Sequence, residues 1–329
     1  MDKKELLKKM KKFYGNHNLK FPKHIDINAT ENRKEIVCEI SLDTSCVKEK
    51  NMQKNCNAFE GWSIVIYTAL KSQYEEVTVK LCLKENTDSG KTTEHWARFL
   101  YRAQRFSEQY VWFKLSDELN TGMEEFKFNE KGQYLNNIPQ NDAGIKDKHN
   151  HENITEALLA EGTLLKDIIH NENIFNGEKV YRQLPVGLFK GSVKKENRVF
   201  PSSKSAIDLW SWKKDTFYVV ELKTLNPMVG IITEIFFYVN YMRDLLIEKT
   251  FTLNHENSKE EDRGYSNILE NTFTKINGIM LADKFHPVLE EKAKNILSVM
   301  NHNGRDDIHY DIASYKLDIH LLQGKTDLS

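Results

Sequence analysis

The stretch SAIDLWSWKKDTFYVVELKT, residues 205–224, decides how the second half of the chain folds. Two apolar runs flank a polar centre, an arrangement typical of a β-hairpin. If the turn is symmetric about Lys214 and Asp215, counting outward places Asp208 directly opposite Glu221. The same count predicts two inner pairs: Trp212 with Phe217, and Trp210 with Val219. An asymmetric or bulged turn would shift this register and separate the two carboxylates.

Asp208, Glu221 and Lys223 are expected to meet on one face of this hairpin. Because side chains alternate along a strand, Lys223 shares a face with Glu221, and Leu222 points the other way. Opposed carboxylates destabilise a sheet unless something compensates them, and a hard divalent cation prefers carboxylate oxygens. The alternative is a hairpin end in solvent, with an ordinary salt bridge between Lys223 and one carboxylate. Spacing alone does not decide between these two interpretations.

The helix predicted before the hairpin adds another acidic residue. At about 100° per residue, five positions fall on one narrow stripe of this helix: Ile154, Leu158, Glu161, Leu165 and Ile168. A glutamate in a core-facing stripe needs a partner, because an unpaired buried charge is costly. The alternative places Glu161 near the helix edge, where it pairs with a surface lysine.

The remaining pattern of the second half predicts a mixed sheet flanked by helices. Helices are expected at 154–169, 228–247 and 286–300, and strands around 179–189, on both sides of the hairpin turn, and at 275–283 and 308–322. The first half reads as an α+β unit, with helices at 2–14 and 92–107 and strands at 34–42, 62–70, 76–83 and 110–115. The polar stretch 129–153 separates the halves, so we expect domains at 1–150 and 151–329.

The composition limits the classes of protein that need to be considered. Of 329 residues, 40% are hydrophobic and the net charge is −1, so total charge gives no argument for a nucleic-acid partner. No segment resembles a signal peptide or a transmembrane helix, which predicts a cytoplasmic protein with no membrane partner. The cysteines form no CxxC pair, so we expect four reduced thiols: Cys38, Cys46, Cys56 and Cys82.

The second half resembles the PD-(D/E)xK nucleases, a superfamily that includes many restriction endonucleases and repair nucleases. The resemblance covers residues 154–322 and depends on Asp208 followed by Glu221-Leu222-Lys223, together with the order of the helices and strands. It implies an α/β fold with a restriction-endonuclease-like core, preceded by the α+β domain. The proline that often precedes the first aspartate of this motif is replaced by Ile207.

The resemblance also implies a role for each motif residue. Asp208 and Glu221 would ligate Mg²⁺ or Mn²⁺, with the backbone carbonyl of Leu222 as a third ligand. Lys223 would position or activate the attacking water, and Glu161 would be the acid of the first helix. Some members carry a Gln-x-x-x-Tyr pattern on the next helix, and Glu234-Ile-Phe-Phe-Tyr238 stands there in this chain. The glutamate departs from that pattern and leaves the auxiliary role of Glu234 in doubt.

Two groups of basic residues suggest contacts with a nucleic acid. The segment 190–204 has one acid, Glu196, and five basic residues: Lys190, Lys194, Lys195, Arg198 and Lys204. This segment would bind along the phosphate backbone, or it is an ordinary charged loop exposed to solvent. A second group lies on the helix at 92–107, where Arg98, Arg102 and Arg105 would grip a backbone or form the wet face of a packed helix. The first domain is therefore the expected source of substrate recognition.

These observations predict a divalent-metal-dependent endonuclease of the restriction, defence or repair type, with DNA favoured over RNA as its substrate. The metal would polarise a phosphoryl oxygen and help to generate hydroxide from water. The resemblance also allows a homodimer. The alternatives are an RNA-cleaving nuclease, and a nucleic-acid-binding module that keeps the fold without turnover.

Overall fold

The computed structural model describes residues 1–84, 93–139, 150–162, 179–202, 205–255 and 263–316. The chain divides into two compact units. The first contains Met1–Asn129, Val229–Glu234 and His286–Arg305, and the second contains Glu130–Met228, Ile235–Phe285 and Asp306–Ser329. The first boundary along the chain falls after Asn129, whereas the sequence predicts a boundary near residue 150. Two later segments of the chain also belong to the first unit.

The described residues contain both helices and strands in each unit. Up to Asn129 they are α1 (Lys3–Tyr14), β1 (Ile25–Asn32), β2 (Glu35–Asp43), α2 (Thr44–Glu49), α3 (Phe59–Lys71), β3 (Glu76–Lys84), α4 (Glu94–Gln109), β4 (Phe113–Leu115) and α5 (Asp117–Met123). From Glu130 they are β5 (Tyr134–Asn136), α6 (His151–Ala160), β6 (Tyr181–Pro185), β7 (Leu188–Lys190), a 3-10 turn (Lys195–Asn197), β8 (Ala206–Lys213), β9 (Thr216–Lys223), α7 (Gly230–Leu246), β10 (Phe251–Thr252), α8 (Tyr265–Glu270), β11 (Lys275–Ala282), α9 (Pro287–Asn301) and β12 (Ile308–Ser314). None of the helices in these described ranges combines the length and the apolarity that crossing a membrane requires.

The first unit contains a four-stranded sheet in the order β1-β2-β3-β4. Strand β1 is antiparallel to β2, and β2, β3 and β4 run parallel. The strand predicted at 62–70 is wrong, because this segment lies within helix α3, where nearly every residue is buried. A helix buried on all sides shows no amphipathic period, so a short apolar run of this kind is easily mistaken for a strand.

The arginines of α4 are structural residues of the first unit. Arg98, Arg102 and Arg105 are all buried, so they form neither a wet helix face nor an open surface for a nucleic acid. Arg102 forms a bidentate salt bridge with Glu60: its Nε donates to Oε1 at 2.7 Å and its Nη2 donates to Oε2 at 2.6 Å. The Arg102 guanidinium also donates to the backbone carbonyl of Asn57. A buried charge of this kind is tolerated only with such close partners.

The expectation of four reduced cysteines is wrong for one pair. Cys46 and Cys56 form a disulfide that closes a short loop in the first unit. Cys38 and Cys82 are free thiols on neighbouring strands. Burial raises the pKa of the Cys38 thiol to about 12, so this thiol stays protonated.

The second unit is built on a five-stranded mixed sheet in the order β12-β11-β9-β8-β6. Strands β6, β8 and β9 are antiparallel neighbours, and β11 runs parallel to both β9 and β12. The segment predicted as one strand at 179–189 forms β6 and β7, and β7 joins a separate three-stranded sheet with β5 and β10. Strand β12 ends at Ser314, and the part of the predicted last strand from residue 317 onward lies outside the described residues.

Helix α6 packs on one face of the five-stranded sheet. Ile154, Leu158 and Leu159 of this helix share one buried cluster with Leu209 and Leu222 of the hairpin. Because Leu222 faces this cluster, strand alternation sends Glu221 and Lys223 to the other face of β9. The apolar contacts therefore set which way the charged residues of the hairpin point.

Candidate metal and nuclease site

The hairpin has the predicted register. Trp212 pairs with Phe217 and Trp210 with Val219, and the turn closes where Lys213 faces Thr216. The ladder ends at Leu209 and Val220, and Asp208 and Glu221 are the next residues of the two strands, which counting places opposite each other. The turn is symmetric about Lys214 and Asp215, as the counting argument requires, and Lys214 takes the left-handed conformation with φ 55°.

Asp208 contacts the backbone of the facing strand. Its Oδ2 accepts a hydrogen bond of 2.9 Å from the backbone N–H of Leu222. This contact holds the half-buried carboxylate against the last residues of β9. The Asp208 carboxylate therefore lies at the end of β9 that carries Glu221 and Lys223.

Glu221 and Lys223 form a close ion pair. The Lys223 ammonium donates to Oε1 of Glu221 and lies 3.2 Å from the carbonyl oxygen of Leu222. Both residues are at most 4% exposed, so the salt bridge is buried and does not lie in solvent as the alternative interpretation supposed. Lys223 is the last residue of β9, and its Nζ also lies 3.9 Å from Oε1 of Glu152 on α6.

Helix α6 brings two further acids to this end of the hairpin. Glu152 and Glu156 are four residues apart, so they lie on the same side of the helix. Glu156 is only 1% exposed. Burial, and then the negative charge of Asp208, raise the pKa of Glu156 from 4.5 to about 9, so a proton is held there at neutral pH. The part of the shift that comes from Asp208 is a repulsion between the two carboxyl groups.

Strand β6 supplies two partners for Glu156. The side-chain amide of Gln183 donates a 2.7 Å hydrogen bond to Oε2 of Glu156, and the Arg182 guanidinium lies 3.7 Å from the same oxygen. Both contacts favour the ionised form of Glu156 and partly offset the effect of burial. Gln183 and Arg182 were not predicted from the sequence.

The prediction that Glu161 is the acid of this helix that faces the core is wrong. Helix α6 ends at Ala160, and Glu161 is an exposed residue at the C-terminal cap, while Leu165 and Ile168 lie outside the described residues. Ile154 and Leu158 are buried as the stripe predicts. At 100° per residue, Glu161 points about 140° away from Glu156 around the helix. The helical acid beside Asp208 is therefore Glu156.

The basic segment is exposed in the second unit. Lys190 ends β7, and Lys194 and Lys195 follow in the turn, with all three side chains in solvent. Arg198 is half-buried, and its backbone forms a bridge with Phe189. Lys204 lies outside the described residues. Contact of this segment with phosphates stays a prediction.

Glu234 and Tyr238 are both buried on α7, one helical turn apart. Glu234 belongs to the first unit and Tyr238 to the second. The auxiliary role suggested for them therefore stays a prediction.

Tyr315 supports the end of β9 from the side of β12. Its hydroxyl lies 2.6 Å from that of Thr224 and donates to the carbonyl oxygen of Lys223 at 3.3 Å. Burial raises the pKa of Tyr315 well above its ordinary value, so the hydroxyl remains a donor. No sequence signal pointed to this residue, because the contact depends on how β12 follows β11 in the sheet.

The donor set fits a divalent cation in its chemistry. Carboxylates and a backbone carbonyl are the ligands that Mg²⁺ and Mn²⁺ prefer. Burial is the main cause of the raised pKa of Glu156, and the negative charge of Asp208 adds to it, a repulsion that a cation would relieve. Within the described ranges, no three His, Cys, Asp or Glu side chains are arranged as a metal-binding group. Lys223 contacts Glu221 where a cation would be expected to bind, so the donors would have to rearrange.

No protein-family model, no curated protein sequence and no solved structure matched this chain. The interpretation of the site therefore depends on its geometry and its chemistry.

Proposed function

We propose that this chain is a divalent-metal-dependent endonuclease that hydrolyses phosphodiester bonds, with DNA favoured over RNA. The observation that carries the proposal is the meeting of Asp208, Glu221, Lys223 and Glu156 at one end of an otherwise apolar hairpin. Glu156 and Glu221 are buried, and burying several acids close together is costly, which supports a functional reason for the cluster. A restriction-endonuclease-like core is part of the proposal, and the mixed sheet with its antiparallel hairpin next to parallel β11 supports it.

The residues that would hold the metal are Asp208, Glu221 and the carbonyl of Leu222, with Glu156 in the role first suggested for Glu161. When bound, Mg²⁺ or Mn²⁺ would supply Lewis-acid polarisation of a phosphoryl oxygen and a lower pKa for a coordinated water. In this scheme Lys223 leaves Glu221 and turns its ammonium toward the attacking water, which it orients. The exposed Lys190, Lys194 and Lys195 would hold the phosphate backbone, and their contribution would weaken as salt rises.

The test incubates the full chain with plasmid DNA, and separately with RNA, in Mg²⁺, Mn²⁺ or EDTA. Cleavage is expected with either metal and not in EDTA, and D208N, E221Q and E156Q are expected to lose it. E161Q is the matched control on the same helix and is expected to cleave at the wild-type rate. Cleavage in EDTA, or full activity of D208N, would refute the proposed mechanism.

A second candidate is a nucleic-acid-binding module without turnover. The ion pair between Lys223 and Glu221 favours this second candidate, because Lys223 contacts the carboxylate oxygen that a metal ion would have to bind. This candidate predicts tight, salt-sensitive binding of DNA or RNA with no cleavage under any metal condition. The same incubations, with a filter-binding measurement added, separate the two candidates.

A further inference from the structure

Gln183 has an unusual backbone for its place in the sheet. Its φ is 57°, in the left-handed region that favours glycine and that non-glycine residues adopt at a cost in free energy. Among the described residues, it is the one non-glycine residue with a positive φ inside a strand; Arg33, Lys214, Leu225, Lys249 and Arg263 lie outside the strands. Such strain persists only where the surrounding structure holds it in place.

The strained residue faces the carboxylate cluster. In the ladder between β6 and β8, Arg182 pairs with Leu209 and Leu184 with Ile207, so Gln183 occupies the position opposite Asp208. Regular alternation would send Arg182 and Gln183 to opposite faces of the sheet. Both side chains nevertheless approach Oε2 of Glu156, at 3.7 and 2.7 Å, because the left-handed turn of the backbone redirects Gln183.

A second contact fixes this backbone conformation. The carbonyl oxygen of Gln183 accepts a 2.6 Å hydrogen bond from Nη1 of Arg263. The carboxamide of Gln183 therefore projects from a backbone that is held in place from the segment before α8. This is the arrangement expected of a residue that positions another group.

We propose that Gln183 is a positioning residue for the carboxylate cluster: its left-handed backbone turns its amide onto Oε2 of Glu156 and so presents the other oxygen, Oε1, beside Asp208. This inference rests on the proposed function, in which Glu156 takes part in holding a divalent cation. Gln183 touches neither the metal nor the substrate. It sets the orientation of the Glu156 carboxylate, which would contact the metal.

The experiment measures Mn²⁺ binding to the full chain without nucleic acid, by the loss of the free-ion electron paramagnetic resonance signal. Q183G removes the amide and suits the left-handed backbone, and Q183N also suits that backbone but shortens the amide arm by one methylene. Both variants are expected to bind Mn²⁺ about tenfold or more weakly than the wild type, which is the usual effect of losing a partner of a metal ligand.

The matched control is K214G, which relieves a left-handed φ of 55° in the turn at the far end of the same hairpin. K214G is expected to bind Mn²⁺ as the wild type does. A Q183N variant with wild-type Mn²⁺ affinity would overturn the positioning role while leaving the proposed nuclease intact. Weakened Mn²⁺ binding without cleavage of any nucleic acid by the wild type would support the positioning role and refute the nuclease. A wild type that binds no Mn²⁺ would overturn both.

Discussion

Glu156 gives the most quantitative prediction, because its environment should make the stability of the metal-free protein depend on pH. Burial, and then the charge of Asp208, raise the pKa of Glu156 from its ordinary value of 4.5 to about 9 in the folded chain. Between these values the native state binds a proton that the unfolded chain has lost, so stability falls as pH rises. At pH 7 the difference of about 2.5 pH units corresponds to about 3 kcal/mol, at roughly 1.4 kcal/mol per unit.

Replacing Glu156 by glutamine should remove this dependence. Glutamine has the shape of the protonated acid, and its carbonyl oxygen can still accept the hydrogen bond from Gln183. E156Q should therefore be more stable than the wild type by about 3 kcal/mol at pH 7, and by less than about 1 kcal/mol at pH 5. The gain should continue to grow toward pH 9.

The assay is urea unfolding in EDTA at pH 5, 6, 7 and 8, followed by tryptophan fluorescence. E161Q is the control, because it makes the same chemical change at an exposed position of the same helix. Its stability relative to the wild type is expected to be constant across the series. A stability difference between E156Q and the wild type that does not change with pH would refute the burial argument. So would an E156Q variant that is less stable at pH 7.

Three further predictions concern other contacts. Arg102→Met leaves the buried carboxylate of Glu60 without its close partner, so unfolding should become easier by about 3–5 kcal/mol in a urea titration. The disulfide between Cys46 and Cys56 closes a loop with a sequence separation of 10, so a dithiol reductant should lower the free energy of unfolding by about 3 kcal/mol. Lys223→Met should slow cleavage by about a hundredfold or more while Mn²⁺ binding is retained, since the lysine is not a ligand; unchanged cleavage would refute its role.

The hairpin could be predicted closely from the sequence because the residues that determine its register are neighbours along the chain. Register follows from the turn and from alternation, and both are visible in residues 205–224. The pairs of Trp212 with Phe217 and Trp210 with Val219 are confirmed. The ladder ends at Leu209 and Val220, one residue short of Asp208 and Glu221, so their facing positions stay a prediction. Contacts that depend on more distant strands, such as that of Tyr315 with the end of β9, leave no local pattern.

Two of the errors, those at Glu161 and at residues 62–70, have a common physical cause in complete burial. The stripe argument assumes that one face of a helix is wet, but residues 154–159 of α6 are all buried. Glu156 therefore lies on a side of α6 that the pattern assigns to solvent. The segment at 62–70 has the pattern of a strand for the same reason, because helix α3 is buried on all sides. A local signal was present in α6: Glu152 and Glu156 are like charges at i and i+4, which destabilise a helix unless something compensates them.

The charges around the hairpin end suggest what that compensation is. Four carboxyl groups are linked there, those of Glu152, Glu156, Asp208 and Glu221, and two cationic side chains contact them, Lys223 and Arg182. If every group were ionised, two negative charges would remain in excess, which is the charge of one divalent cation with opposite sign. Without a cation, a proton held on Glu156 removes one of these negative charges, and the ammonium of Lys223, already included in the count, lies against Glu221. Binding of Mg²⁺ should therefore release a proton and free the lysine, which couples the arrival of the metal to the availability of the group proposed to orient water.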